Sequence, residues 1–413
     1  MCKISKKGLK CQICTGCGLC PGVSTENGLG AGSGSLHVLT GDSLAEGSIF
    51  FPRNGKRLAA ADIGTTTIAM QLYGEDGSVE ERFAAVNPQT VYGADVLSRI
   101  KAAEDASQAK EMQRLVQETL KQGIKRFRKR LAEKEELYLV VAANTTMTYL
   151  LMGWDTGELG RAPFAASELS GAEFEIDGVM CLVLPAFSAF VGGDILAGCL
   201  ACKMAEQKEI TLLIDLGTNG ELLLGNADRR LACATAAGPA FEGGVNRGIW
   251  GADMVRLLAT LRREGVLDET GLLEETYFDK GIRIGNVCVT QSAVRNVQLA
   301  KAAVSAGIEI LLKRYGISYE AVDRIVLAGG FGYYLNPEDA AEIGLLPHVF
   351  VDRTVSGGNT ALTGAMLAGR QLLSSDMKSV WKQLVKYREK TAVLNLAMEP
   401  EFEELYMRSM QLK

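Results

Sequence analysis

Two similar stretches decide the fold: "AAADIGTTTIAMQLYGEDG" at Ala59–Gly77 and "TLLIDLGTNGELLLGNADR" at Thr211–Arg229. Each begins with an apolar strand that ends in aspartate, passes through a turn containing glycine and threonine, and enters a second apolar strand. Because the two stretches occupy equivalent places in two halves of the chain, they predict a duplicated domain with a cleft between the copies.

The turn inside each stretch suits a phosphate ligand. Glycine lets the backbone turn tightly, so that consecutive N–H groups point at phosphate oxygens, and the threonine hydroxyls add donors. Asp62 and Asp215 stand at the strand ends, where a carboxylate can hold Mg²⁺ or its waters. One such turn alone is equally compatible with an ordinary hairpin, but two in equivalent places favour a triphosphate held from both sides.

A third stretch, "RIVLAGGFG" at Arg324–Gly332, is a buried strand that runs into a glycine pair. Gly329 and Gly330 permit close contact with an adenosine ring or its ribose, although a strand-to-helix turn that needs positive φ explains them as well. The G-x-x-x-x-G-K-[ST] loop is absent from the sequence, which excludes that way of holding ATP.

The stretch "CQICTGCGLCPG" at Cys11–Gly22 carries four cysteines at even spacing. The start is cysteine-rich rather than typical of a signal peptide, so we expect a reducing compartment, where this clustering favours metal ligation over disulfides. The run is similar to the ferredoxin pattern C-x2-C-x2-C-x3-C-P, except that its last gap is shorter. A [4Fe–4S] cluster is the favoured interpretation, with Cys20 or Cys2 as fourth ligand; structural zinc and unligated thiols are the alternatives.

Composition bounds the remaining possibilities. The 413 residues are 47% hydrophobic with a net charge of −5, enough to bury more than one compact unit and without general support for nucleic-acid binding. The periodic segment Ser107–Lys134 predicts a helix, and its basic run Lys121–Arg130 predicts the exposed face of that helix. No apolar run approaches 18 residues, so we expect a cytoplasmic protein without a membrane span.

The chain divides into five expected segments. A Gly/Ser-rich composition marks the second segment as a linker. The segments are a cysteine-rich iron–sulfur segment at 1–21, the linker at 22–56, lobe I at 57–208, lobe II at 209–370, and a C-terminal extension packing on the core at 371–413.

Over most of residues 59–366 the sequence resembles the actin, sugar-kinase and heat-shock-chaperone superfamily of ATPases. Within it, the sequence is most similar to the ATP-dependent reductive activators of corrinoid-dependent enzymes. The stretches that carry the resemblance, beyond the three loops, are "NPQTVYGADVLSRI", "ANTTMTYLLMG", "PAFSAFVGGDILAG", "AAGPAFEGG", "VTQSAVRNVQLAKAAVSAG", "IGLLP", "GNTALTGA" and "PEFEELYMRSM".

The resemblance implies an α/β fold: a duplicated actin-like ATPase with two lobes and a central nucleotide cleft. It also implies three binding loops and a small set of catalytic carboxylates that arrange Mg²⁺ and the attacking water. The implied residues are Asp62, Gly64, Thr65 and Thr66 in the first loop, Asp215, Gly217, Thr218 and Asn219 in the second, Gly329 and Gly330 at adenosine, and Asp62, Asp215 and Glu221 as the catalytic group.

The function implied is the return of an inactive Co(II) corrinoid protein of a methyltransferase system to Co(I), coupled to ATP hydrolysis. Family members need an iron–sulfur centre, commonly in an N-terminal [2Fe–2S] ferredoxin-like domain. Here the segment before the ATPase is too short for that domain, and Cys11, Cys14, Cys17 and Cys20 take its place as metal ligands. The implied partners are the corrinoid protein and an unidentified low-potential electron donor, without nucleic acid or membrane; a homodimer is compatible with the family.

Two other functions fit parts of the same pattern. The first is an activator of another low-potential enzyme, such as a radical dehydratase; in that group the cluster cysteines come from within the ATPase lobes, whereas here they are N-terminal. The second is a small-molecule kinase or nucleotide-gated binding protein with zinc in its N-terminal segment. ATP consumption that follows an added acceptor and needs no reductant would distinguish the second from a redox activator.

Overall fold

The computed structural model of the chain describes residues 51, 55–217, 219–238, 251–284, 287–375 and 377–413. Its regular elements fall into two successive halves, each built on a six-stranded sheet. The first half contains β1 (Lys56–Ile63), β2 (Thr67–Tyr73), β3 (Val79–Val86), α1 (Val96–Ala103), α2 (Ala106–Arg128), β4 (Glu136–Ala143), α3 (Thr145–Met152), β5 (Ala172–Ile176), β6 (Val179–Val183) and α4 (Gly193–Ala201).

The second half holds the remaining strands and helices. The elements are β7 (Thr211–Leu216), β8 (Gly220–Gly225), β9 (Arg230–Thr235), α5 (Gly251–Arg263), α6 (Glu275–Phe278), β10 (Ile282–Ile284), β11 (Val287–Val289), α7 (Gln291–Tyr315), β12 (Arg324–Ala328), α8 (Gly329–Gly332), α9 (Pro337–Glu342), β13 (Thr354–Gly358), α10 (Thr360–Ser374), α11 (Met377–Glu389), β14 (Thr391–Leu394) and α12 (Phe402–Arg408).

Five strands of each sheet share one topology, whereas the sixth differs: β5 pairs antiparallel with β6 in the first sheet, and β14 pairs parallel with β9 in the second. The first has the order β3-β2-β1-β4-β6-β5 and the second the order β13-β12-β7-β8-β9-β14. In each, an antiparallel three-stranded meander continues into two parallel strands, with β1, β2, β3, β4 and β6 matching β7, β8, β9, β12 and β13. The duplication predicted from the two similar stretches is therefore confirmed in the pairing of the strands.

The long helix α2 has the buried and exposed faces that its sequence pattern predicts, but a different end. Asp105 caps its first turn, its Oδ1 accepting from the Ser107 amide at 2.8 Å, and the helix buries an apolar face that includes Ile124 and Phe127. The basic residues of its last turns point to solvent, as predicted. The predicted end at Lys134 is wrong, since the helix stops at Arg128 and the chain turns back into β4.

The two halves meet where α4 packs against α10. A Cβ added at Gly364 of α10 would lie 1.9 Å from the Ala197 carbonyl oxygen of α4, so the two helix backbones touch. The thiols of Cys199 on α4 and of Cys202, the residue that follows this helix, are free and buried, as is common for core cysteines. Within the part of the chain that the structure describes, no helix is both long and apolar enough to cross a membrane.

Candidate active site

The first predicted loop is the turn between β1 and β2. Asp62 stands near the end of β1, and the Gly64 amide closes the turn by donating to the Thr67 carbonyl at 2.9 Å. Asn144, the N-cap of α3, donates from Nδ2 to Thr65 Oγ1 at 3.2 Å. Thr66 is exposed at the tip of the turn. This loop is therefore built from a tight turn whose threonine is held from a distant helix start.

The second predicted loop is the turn between β7 and β8. Its Gly217 amide donates to the Asn219 carbonyl at 2.9 Å, and a Cβ at Gly217 would meet nothing within 4 Å. Asp215 lies directly opposite Glu221 in the antiparallel register of the two strands. Thr218 lies outside the described residues. The side of the loop at Gly217 is open to a ligand, as a phosphate loop requires.

The glycine pair follows β12, the parallel neighbour of β7. Gly329 has φ +79°, and a Cβ there would lie 2.4 Å from Asp215 Oδ1 and 2.5 Å from the Leu216 carbonyl oxygen. A side chain is thus excluded at Gly329 both by conformation and by space. A Cβ at Gly330 would meet nothing within 4 Å. Gly330 therefore borders open space next to the second loop.

Four carboxyl groups lie close enough for their charges to act on one another. Removal from water raises the pKa of Asp62 to about 6, and the same effect together with the charge of Asp62 raises the pKa of Asp194 to about 7. Burial and the neighbouring Asp194 and Asp62 raise the pKa of Asp215 to about 8. Burial, Asp194 and Asp215 raise the pKa of Glu221 well above its ordinary range.

Asp62 also has a partner from the second half of the chain. Asn359, the N-cap of α10, donates from Nδ2 to Asp62 Oδ2 at 2.8 Å, while its Oδ1 accepts from the Leu362 amide at 2.8 Å. The hydrogen bond favours the ionised carboxylate and opposes the effect of burial on the pKa of Asp62. Asn359 thus joins the start of α10 to the first loop.

The carboxyl cluster fits a hydrated divalent cation. Mutual repulsion between partly buried carboxylates falls when a cation enters, and Mg²⁺ prefers oxygen ligands while keeping several waters. Among the described residues, no three His, Cys, Asp or Glu side chains form a ready-made set of metal ligands. The donor chemistry therefore suits Mg²⁺ bound through water and phosphate oxygens, rather than a closed protein cage.

The structure brings most of the sequence-derived site residues together around one cleft. Asp62, Asp215 and Glu221 interact electrostatically, and Gly329 touches Asp215. Gly64, Thr65 and Thr66 form the turn that follows Asp62, and Gly217 and Asn219 form the turn that follows Asp215. Cys11, Cys14, Cys17 and Cys20 lie outside the described residues.

Three residues of this cleft were not singled out from the sequence: Asp194, Asn359 and Asn144. Asp194 is the first acidic residue after a glycine pair and stands in the first turn of α4, a position that favours a carboxylate. Its signal was an acid at the start of an otherwise apolar helix. Asn144 and Asn359 are both N-caps that follow strands. Their capping role can be predicted from the sequence, whereas the loops that their side chains contact cannot.

Comparison with known proteins places this fold and cleft in a family. Residues 58–207 match the family described as the RACo middle region, and residues 209–247 and 244–413 match the C-terminal domain of RACo, the ASKHA domain. The corrinoid activation enzyme RamQ of Eubacterium limosum is 30% identical, over 90% of this chain and 73% of RamQ. A reductase of the Co(II) methylated amine-specific corrinoid protein from Methanosarcina barkeri is 26% identical, over 48% of this chain and 46% of the length of that reductase.

A solved structure gives the same answer. The reductive activator for a corrinoid iron–sulfur protein superposes with a TM-score of 0.74 and 30% identity, covering 87% of this chain and 67% of that chain. The expected actin-like fold is thereby confirmed, and a fold of this ATPase type implies ATP binding. By family match, overall identity and fold, this chain belongs to the RACo family of corrinoid-protein activators.

Proposed function

We propose that this protein uses ATP hydrolysis to return the inactive Co(II) corrinoid protein of a methyltransferase system to Co(I). The observation that carries the proposal is the meeting of two D-x-G-T turns, one from each half, around one group of interacting carboxyls. That arrangement suits a nucleotide triphosphate, whose hydrolysis depends mostly on positioning and on neutralisation of charge. Its relatives carry corrinoid activation in their names.

In the cleft, each group of residues has a separate task. Asp62, Asp194 and Asp215 would hold Mg²⁺ through its waters, and the ion supplies neutralisation of phosphate charge when bound. Thr65 and Thr66 donate to phosphate oxygens from the first loop, as do Gly217, Thr218 and Asn219 from the second. Glu221, which lies opposite Asp215 in the register of β7 and β8, is the candidate acceptor for the proton of the attacking water. Gly330, which borders open space, and the backbone of Gly329 are the proposed contacts to adenosine.

The four N-terminal cysteines are proposed to hold a [4Fe–4S] cluster, which supplies one-electron carrying capacity when bound. Their spacing and the implied redox function support this over zinc. The proposed electron donor is an external low-potential protein or reductant. The Gly/Ser composition of residues 22–56 suits a linker that lets the cysteine segment approach both the donor and the corrinoid.

Energy is the reason for joining an ATPase to an electron carrier. Each ~100 mV of uphill one-electron transfer costs about 2.3 kcal/mol. ATP can meet that cost only if its binding and hydrolysis change the affinity of this protein for the Co(II) and Co(I) forms of the partner. Closure of the two halves around the nucleotide is the conformational change proposed to do so.

The proposal is tested by anaerobic reconstitution with a purified corrinoid protein of a methyltransferase system in the Co(II) state. With Ti(III) citrate as reductant and ATP present, we expect the absorption spectrum of Co(I) to appear together with phosphate release. Both should be lost in Asp215→Asn and retained in Asp76→Asn, a change in an exposed turn away from the cleft. Co(I) formation at the same rate and to the same extent without ATP would contradict the coupling.

The metal at the cysteines is tested separately. We expect about four iron and four sulfide per chain after anaerobic purification or reconstitution, lost when Cys11, Cys14 and Cys17 are changed to serine. Zinc in place of iron after reconstitution would contradict the electron-carrying role. In that case, phosphate transfer to an added small molecule would identify the chain as a kinase.

A further inference from the structure

The first loop is held from behind by one segment of the chain, residues 87–99. Asn87 donates from Nδ2 to the Gly64 carbonyl at 2.8 Å and from its backbone amide to the Thr66 carbonyl at 2.8 Å. Arg99 donates from Nη2 to the intervening Thr65 carbonyl at 2.5 Å. Three consecutive carbonyls of the loop are therefore bound by donors from the same segment.

The planarity of the peptide bond turns this observation into a statement about the loop amides. In a trans peptide the carbonyl and the N–H of the next residue point in opposite directions. With the Gly64, Thr65 and Thr66 carbonyls directed at residues 87–99, the N–H groups that share those peptides are directed away from that segment. A row of backbone N–H groups on one side of a turn is an anion-binding arrangement.

Arg99 is fixed by its own surroundings. It lies fully buried in the first turn of α1, directly after a capping box in which the Ser98 amide donates to Asp95 Oδ1 at 2.8 Å. Its Nε donates to the Gly93 carbonyl at 3.0 Å. Burying a guanidinium is costly unless its donors are satisfied; here two backbone carbonyls accept from Nε and Nη2, and Met147 Sδ accepts from Nη1 at 3.3 Å. Arg99 also brings a positive charge to the back of a loop expected to meet phosphate.

Asn87 is equally constrained. It is buried, and its Oδ1 accepts from the Gln89 amide at 3.0 Å, which fixes the direction of the Nδ2 donor. Gln89 in turn donates from Nε2 to the Met112 carbonyl of α2 at 2.9 Å. The side chains of Asn87 and Arg99 therefore connect the first loop to a segment that is itself fixed against α2 and within α1.

We propose that Arg99 and Asn87 are positioning residues for phosphate binding: they orient the first loop so that its N–H groups receive the phosphates of the nucleotide. The inference rests on the proposed ATP-binding function of the cleft. Neither side chain is expected to touch the nucleotide. Loss of either anchor releases a loop carbonyl, which is then able to turn toward the phosphates and repel them.

The test compares Arg99→Met, Arg99→Lys, Asn87→Asp and a matched control, Arg230→Met. Arg230 is also fully buried and donates to backbone carbonyls, those of Asn226 at 2.8 Å and Tyr387 at 3.0 Å. It lies at the opposite end of the second sheet from Asp215. Dissociation constants for ATP, ADP and adenosine would be measured by calorimetry, with thermal unfolding of each variant.

We expect Arg99→Met to weaken ATP and ADP binding by about tenfold or more and to leave adenosine binding unchanged, since only the phosphate-binding loop is displaced. Arg99→Lys keeps the charge but not the paired donors, so its dissociation constants for ATP and ADP should lie between those of the wild type and of Arg99→Met. Arg230→Met should lower the unfolding midpoint without changing ATP binding. Should Arg99→Met fail to fold, Asn87→Asp decides the matter, because it keeps the shape of the side chain and replaces the donor to Gly64 with a charged acceptor, which should likewise weaken ATP and ADP binding and leave adenosine binding unchanged.

Two results would overturn the inference: ATP binding by the folded variants equal to that of the wild type, or an equal loss of ATP and adenosine. The second would show general damage to the cleft. A wild-type protein that binds no ATP would overturn the proposed function and this inference together. A wild-type protein that binds ATP in an Arg99-dependent way, yet reduces no corrinoid, would overturn only the proposed function.

Discussion

The two proposed phosphate loops lie between equivalent strands but are supported by different interactions. Beyond β4, the parallel neighbour of β1, stands Asn144, whose side chain reaches Thr65 Oγ1. Beyond β12, the parallel neighbour of β7, stands Gly329, where any side chain would strike Asp215. The first loop is supported by polar side chains from other segments, whereas the second is supported by close backbone packing. A duplicated fold can therefore keep its topology while its two loops depend on different interactions.

The largest effects are expected at the aspartates that begin both loops. Asp62→Asn and Asp215→Asn should each lower ATP hydrolysis by about 100-fold or more, because each removes a charge that positions Mg²⁺ and water. Phosphate release under saturating ATP measures this, with Asp76→Asn as the control. If only one variant lost activity, the two loops would be shown to differ in chemical role as well as in support.

A smaller effect, on stability, is expected from the close packing of the second loop. Gly329→Ala should lower the free energy of unfolding by about 1–3 kcal/mol, because it forces a side chain into positive φ and against Asp215 Oδ1. Gly330→Ala is the matched control, since its Cβ would enter open space and should cost little. Equal denaturation midpoints for the two variants in urea would contradict the backbone-packing account.

The buried cations of the two halves provide a test by pH. Arg99 stays charged, whereas burial lowers the pKa of Lys301 on α7 to about 7, where its amine donates to the Gln411 carbonyl. The unfolded chain binds a proton at Lys301 below about pH 10.4 while the folded chain does not, so stability should rise with pH above 7.

The slope from this single group is at most about 1.4 kcal/mol per pH unit. Buried thiols such as Cys202, whose pKa burial raises to about 12, act in the opposite direction above their ordinary range. The measurement is therefore the difference in unfolding free energy between wild type and Lys301→Met at pH 7 and pH 9. A difference that does not change with pH would show that Lys301 is charged in the folded protein.

The smallest effect is expected at Asn144. Asn144→Ala should cost about 1 kcal/mol of stability, since Oδ1 caps α3 by accepting from the Met147 amide at 2.9 Å. It should also weaken ATP binding severalfold through loss of the donor to Thr65. Asn144→Asp keeps the cap and replaces that donor with a negatively charged acceptor, so it should retain stability and lose at least as much affinity. Loss of stability without loss of affinity in Asn144→Ala would restrict Asn144 to capping.

The sequence was sufficient for the frame of the site because the frame is local. A strand, a turn with glycine and threonine, and a second strand are written in consecutive residues, so Asp62 and Asp215 could be placed at the strand ends. Their repetition then predicted the duplication. The end of α2 was misjudged because the apolar period continues to Leu131, which packs on the core from the turn that follows the helix.

The supports of the loops lay beyond sequence reasoning because they are not local. Asn359 is far along the chain from Asp62. Arg99 and Asn87 contact the first loop only because β3 and α1 pack beside it. Spacing along the chain carries no information on such contacts. Asp194 is intermediate, since its place at a helix start is visible in sequence but its approach to Asp62 and Asp215 is not.

The crossing of α4 and α10 has a mechanical consequence. With Gly364 in backbone contact at Ala197, the two helices are too close to slide apart without breaking the core, yet a contact through a glycine leaves rotation open. The crossing would then be the axis of a rotation between the two halves. Residues beside the crossing would be displaced little, and those on the far edge strands, β3 and β14, would be displaced most. Spin labels on those edges should change separation when ATP is added, whereas labels beside the crossing should not. Closure would thus convert a small rotation near the phosphates into a large displacement of the edge strands β3 and β14.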